Sequence, residues 1–154
     1  MIDRLFAERL IDKISQFTEY NINVMDEDGI IIASRMKERV GTFHEVAYQL
    51  MKGDEDSRVV TKEDSDKGVK CGVNMVVHVN KRKEGVVGLS GDPREIMPVA
   101  KIVKMTVELM LEYESYKYEN LRKYNLKEQL IHLILYSDDF VREDLSKYTV
   151  ALNL

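Results

Sequence analysis

The sequence predicts an α+β domain: an antiparallel sheet of about five strands with helices on one side, an N-terminal helix and a long C-terminal helix. Three observations predict it. NINVMD (21–26) and GIIIAS (29–34) are β-rich and join across Asp28-Gly29, a dipeptide that closes tight hairpins. KCGVNMVVHV (70–79) alternates, and VVGLSG (86–91) returns after the exposed turn NKRKEG. From Pro93 to about Tyr136 the apolar spacing becomes helical and stays so for some forty residues.

Each element follows from its own pattern. Ile2, Phe6, Leu10 and Ile14 form an i, i+4 row, with Leu5 and Phe17 near it, so residues 2–16 read as a helix. After the hairpin, Thr42 and Glu45 stand at the Thr-x-x-Glu spacing of a capping box, which starts a helix at Phe43. Phe43, Val46, Ala47, Leu50 and Met51 give that helix one apolar stripe, and Gly53 ends it. SRVVTK (57–62) is a short strand within a charged loop from Lys52 to Lys70.

In the next strand Cys71, Val73, Met75, Val77 and Val79 share one face, and Gly72, Asn74, Val76 and His78 the other. Valines on both faces imply that both are covered. If His78 pairs with Val86, Asn74 faces Ser90 and Val76 faces Gly88, gathering small and polar groups on an apolar sheet. Such a cluster needs partners, either a bound ligand or the backbone of a neighbouring loop.

The last helix carries a stripe of Ile96, Val99, Ala100, Val103 and Val107, continued less regularly by Met110, Leu111, Leu121, Leu130, Ile131 and Ile134. Forty residues at about 1.5 Å each span roughly 60 Å, more than a domain of this size. Residues 1–92 with the first half of helix 93–136 therefore form the domain, and 113–136 an exported helix or linker that calls for partner helices. The tail 137–154 changes character and reads as the start of a following module, cut short.

Composition narrows the function. The 154 residues suit one domain; 23 basic against 27 acidic residues give a net charge of −4, without a basic block, so nucleic acid is not expected as a partner of this chain itself. The single Cys71 has no disulfide or metal partner at suitable spacing, and no apolar run is long enough for a membrane span. A cytoplasmic setting, without cofactor or metal, is expected. GxSxG, Walker and HExxH motifs are missing, and GVVGLSGDP lacks the GxGxxG order, so catalysis is not expected either. His78 in a strand and His132 in the long helix read as structural.

RVGTFHE (39–45) is the segment with the most chemistry. A helix start presents free N–H groups and a positive dipole end. Arg39 offers a fork for a carboxylate, Gly41 lets a ligand approach the backbone, and His44 falls in the first turn, where the dipole keeps it neutral. The same residues also describe an ordinary capped helix with a surface arginine and histidine.

The order helix, two strands, helix, three strands, long helix is that of PAS-like sensory modules. NINVMDEDGIIIAS, ERVGTFHEVA, GVKCGVNMVV and EGVVGLSGDP, in this order, resemble the sugar diacid recognition domain that opens carbohydrate diacid regulators of the CdaR type, over about residues 3–136. The family's Ser-x-x-x-x-Arg-[Ile/Val]-Gly-x-x-His pattern falls on Ser34, Arg39, Val40, Gly41 and His44. Gly-[Ile/Val]-Asn falls on Gly72, Val73 and Asn74, and Gly-[Leu/Ile]-[Thr/Ser]-Gly on Gly88, Leu89, Ser90 and Gly91. The chain lacks the prolines that family members often carry near Cys71 and at Val76, and has Arg35 and Met36 where small and acidic residues are common.

The resemblance implies a non-catalytic sensor of a bacterial transcription regulator. Its ligand would be a small hydroxy acid, glycerate or a diacid such as glucarate or galactarate, held by Ser34, Arg39, Gly41, Thr42, His44, Asn74, Ser90 and Gly91. It further implies a homodimer signalling through the C-terminal helix, with DNA reached only through a C-terminal helix-turn-helix domain that these residues do not include. The alternatives are a structural dimerisation module and, more weakly, a small enzyme using His44 as a base.

Overall fold

A computed structural model describes residues 1–61 and 70–136; the expected following module at 137–154 lies outside the described residues. The elements are α1 (Arg4–Ile14), β1 (Ile22–Met25), β2 (Ile31–Ser34), a 3₁₀ turn (Lys37–Arg39), α2 (Glu45–Lys52), β3 (Ser57–Val60), β4 (Gly72–Val79), β5 (Arg82–Ser90) and α3 (Pro93–Tyr136). The five strands form one antiparallel sheet in the order β2-β1-β5-β4-β3.

Both hairpins close as their turn residues dictate. Asp26 Oδ1 accepts from the N–H groups of Asp28 and Ile30 at 3.0 and 2.9 Å, and Gly29 supplies the positive φ of +76° that ends the β1–β2 turn. The β4–β5 turn is tighter than NKRKEG suggests. Asn80 and Lys81 alone form it, both at positive φ (51° and 64°), and Arg82 to Gly85 belong to β5. The expected register is therefore corrected by two residues. Val76 pairs with Val86, Asn74 with Gly88 and Gly72 with Ser90, while His78 pairs with Lys83 beyond a bulge at Val77/His78.

Alternation along the strands builds two cores. Ile22, Val24, Ala33, Val73, Met75, Val77, Val87 and Leu89 meet Phe6, Leu10 and Ile11 of α1 and Ile96, Ala100, Val103 and Val107 of α3. Met25, Ile31, Val60, Val76 and Val86 meet Val46, Ala47 and Leu50 of α2. The helices are thus shared between the faces, a correction to the expectation of one side. The reason is in β4, whose valines are buried on both faces and would each forfeit roughly 1.5–3 kcal/mol if left in water.

Two polar contacts fix the helices against the sheet. Lys83 Nζ donates to the carbonyls of Leu50 and Gly53, both at 2.7 Å, satisfying the open end of α2. At the β4 bulge the His78 N–H is taken by Glu108 Oε1 of α3 at 2.9 Å. Helix α3 is unbroken over its 44 residues, with Pro98 inside it. The chain forms two compact units, Met1–Leu111 and a second that begins at Glu112. In the second, Tyr113, Tyr116, Tyr118, Leu121 and Tyr124 are exposed. No described helix is long and apolar enough to cross a membrane.

Candidate functional site

The α2 face of the sheet is apolar only in part. One cross-strand row reads Ser34, Asn23, Gly88, Asn74 over β2, β1, β5 and β4. Ser34, Asn23 and Asn74 are buried, at 0%, 3% and 4% exposure. At one end the polarity is satisfied. Ser34 Oγ donates to Asn23 Oδ1 at 2.6 Å, Asn21 Nδ2 donates to the same oxygen at 3.3 Å, and the Met36 N–H reaches Ser34 Oγ (3.0 Å) and Asn21 Oδ1 (3.2 Å).

At the other end it is not. Asn74 leans over Gly88, so that a Cβ at 88 would stand 2.6 Å from Asn74 Oδ1. Among the described residues its side-chain amide meets no hydrogen-bond partner. Leaving such a group dry costs about 1–3 kcal/mol. Among the described residues the fully enclosed side-chain polar atom without a partner is Ser15 Oγ. The Asn74 amide therefore opens on space that water or a ligand can reach.

The second grouping borders β2 from outside. After the 3₁₀ turn the chain comes back along the strand: Gly41 N donates to Ile31 O, Ile31 N to Thr42 O and His44 N to Gly29 O, at 2.8 to 3.0 Å. Held extended by this ladder, residues 41–43 cannot be helical. Helix α2 starts at Glu45 instead of Phe43, and the expected Thr42–Glu45 capping box does not form. The Thr42 hydroxyl is spent on the Arg39 carbonyl at 2.6 Å.

The cap is His44 itself, whose Nδ1 accepts from the Ala47 N–H at 3.3 Å. It stands one residue before the helix, not in its first turn. Its pKa lies below the usual imidazole range because the ring is buried and, second, because the Arg39 charge is near. With Nδ1 as acceptor, the neutral ring carries its proton on Nε2. Ile31, which holds residues 41 and 42, and Ser34, which heads the polar row, lie three residues apart on β2, about 10 Å.

Ser90 sits one row further, opposite Gly72, and its N–H bonds to Asn21 O. Gly91 stands apart. At φ +148° it turns the chain into α3 and lines a separate cleft of about 740 Å³ with Val59, Thr61, Cys71 and Arg94. Asn23, at the centre of the satisfied end, escaped the reading of the sequence. Its signal was present: Asn21, Asn23 and Met25 alternate onto one face of a strand that is buried throughout.

The fold thus places a buried polar row and a histidine-capped helix start on one small antiparallel sheet flanked by helices. Residues 2–134 match the sugar diacid recognition family, and the chain belongs to that family. It is 30% identical over 142 residues, 90% of its length, to the Carbohydrate diacid regulator of Escherichia coli (strain K12), covering 36% of that protein. It is 36% identical over 110 residues, 70% of its length, to the Uncharacterized protein YsfB of Bacillus subtilis (strain 168), covering 30% of it. A Haemophilus influenzae protein is 29% identical over 140 residues, which are 88% of this chain and 37% of the relative. The chain thus spans about a third of the curated relatives it matches.

Proposed function

We propose that this domain senses a small hydroxy acid, glycerate or a sugar diacid such as glucarate or galactarate, for a bacterial transcription regulator. It binds without turning its ligand over. The observation that carries the reading is the Asn74 amide, buried to 4% exposure at one end of the polar row and, among the described residues, without a hydrogen-bond partner. A hydroxylated ligand supplies the donors and acceptors that this amide lacks. Arg39, half-buried beside neutral His44, supplies the cationic fork for a carboxylate, and Ser34, Ser90 and Asn23 border the hydroxylated part.

The strand order and flanking helices support the PAS-like reading, in which α3 carries the response outward. The ligand shifts the packing of α3 only by as much as it prefers one arrangement over another. Dimerisation through the terminal helices, a cytoplasmic setting and DNA contact through a separate helix-turn-helix domain belong to the same reading. The exposed tyrosines and leucines beyond residue 112 favour the second reading, a dimerisation module without ligand.

A thermal-shift panel of glycerate, glucarate, galactarate, tartrate and citrate at matched ionic strength separates the two. A ligand at about 100 times its Kd stabilises by roughly 2.7 kcal/mol, a visible rise in Tm. A flat panel on folded protein would favour the dimerisation module.

A further inference from the structure

We propose that one face of α3 beyond residue 112 is a seam for a second copy of this chain, packed parallel and in register; this rests on the dimer of the reading above and not on its ligand. The observation behind it is an 11-residue repeat: Tyr113, Tyr124 and Leu135 recur at that interval, as do Tyr116 and Lys127, and Asn120 and Ile131. At about 100° per residue these positions follow one line of the helix, because such an interval makes almost three full turns. All of them are exposed, Tyr113, Tyr116 and Tyr124 to 66%, 64% and 59%. Within the first unit Ile102, Met105 and Leu109 are exposed as well, 11 residues before Tyr113, Tyr116 and Asn120.

The repeat points to the occupant. An exposed line with this interval fits a nearly straight partner helix that has the same interval, and an identical chain has it by construction. Charge chooses the orientation. Residues 116 and 117, and again 127 and 128, straddle the line on opposite sides, so a parallel two-fold pair sets each against the other across the seam. Lys127 then meets the partner's Glu128, and Tyr116 the partner's Lys117, an ion pair and a cation–π contact each formed twice. Asn120 meets its own copy, and an amide both donates and accepts, the device by which a single polar residue fixes register in paired helices. An antiparallel pair over residues 113–135 sets Lys117 against Ile131 and forfeits both charge contacts. The three tyrosines, with Ile131, Leu135 and the lysine stems, expose an area on the order of the 800 Å² per partner that a stable interface buries.

Sedimentation equilibrium of the full 154-residue chain over a concentration series, without added acid, tests the seam. The wild type is expected as a dimer. Y113E/Y124E, with both changes on the line, is expected to weaken the dimer about a hundredfold or more. Y118E, at a position at least as exposed but off the line, is expected to leave it unchanged. Orientation is read by copper-phenanthroline oxidation in a C71S background. N120C and I131C, one repeat apart, are each expected to form an intermolecular disulfide, and S115C, on the opposite side of the helix, none. An antiparallel two-fold pair brings at most one height of the helix against its own copy, so it cannot link both positions. A dimer that survives Y113E/Y124E, one lost equally in Y118E, a disulfide at fewer than both positions, or one formed as readily by S115C would overturn the seam and leave the dimer itself standing. A wild-type chain that stays monomeric throughout would overturn the seam together with the dimer and leave the ligand proposal in place.

Discussion

His44 caps helix α2 with its own ring, Nδ1 accepting the Ala47 N–H at 3.3 Å. Only the neutral ring can do so, because a protonated imidazole has no acceptor nitrogen. Burial, then Arg39, lowers the pKa below the unfolded value of 6.5. The unfolded chain thus binds a proton in a window where the folded one does not, and stability rises with pH there. The cap's contribution is complete above pH 6.5 and is lost as pH falls from 6.5 toward the lowered folded value. Urea melts between pH 7.5 and 5 should show that slope. His44→Asn keeps a good cap and does not titrate, so it should flatten the slope at a cost of about 1 kcal/mol or less at pH 7.5. An unchanged slope would remove His44 as its source.

Gly88→Ala places a methyl group 2.6 Å from Asn74 Oδ1. The amide must move, and such overpacking costs about 1–3 kcal/mol. Asn74→Ala removes the obstructing group, so the double variant should be less destabilised than the two single losses added together. Strict additivity in a denaturant series would show that Asn74 does not occupy the space over Gly88.

Much of the geometry around these residues was legible in the sequence. Alternation put Asn74 on the α2 face with Val76, and the segment from Arg39 to His44 stood out as a group. What misled was local chemistry read without its neighbours. Thr42 and Glu45 have capping-box spacing, but the ladder with Ile31 and Gly29 holds the chain extended to His44. A six-residue polar run looked like a turn, whereas Asn80 and Lys81 alone accept positive φ and the rest extends the hairpin. Gly91 matched a family motif and yet turns toward a different cleft, because motif spacing does not say which way a strand end bends.

Asn23 should matter more than Ser34, although both are buried. Asn23 Oδ1 accepts from both Ser34 and Asn21, so Asn23→Leu orphans two donors, at about 1–3 kcal/mol for each one left buried. Ser34→Ala removes one donor, and the Met36 N–H keeps Asn21 Oδ1 at 3.2 Å. Equilibrium unfolding should therefore rank Asn23→Leu well below Ser34→Ala. The reverse order would mean that Ser34 organises this end of the row.

Arg39→Ala tests the electrostatic link between the arginine and the cap. The Arg39 charge is the second cause of the lowered His44 pKa, after burial. Removing it should raise that pKa while leaving it below the ordinary value, because burial persists. Neutralising the guanidinium with a bound carboxylate should move the wild-type titration in the same direction. Imidazole NMR titrations with and without glucarate read both effects on one residue. Under the proposed function Arg39→Ala also loses acid binding, at the scale of a charge-assisted hydrogen bond, about 1.5–3 kcal/mol or tenfold and more in Kd, with the fold intact. Acid affinity retained in Arg39→Ala would take the carboxylate away from Arg39. A His44 titration unmoved by the substitution would separate the two side chains altogether.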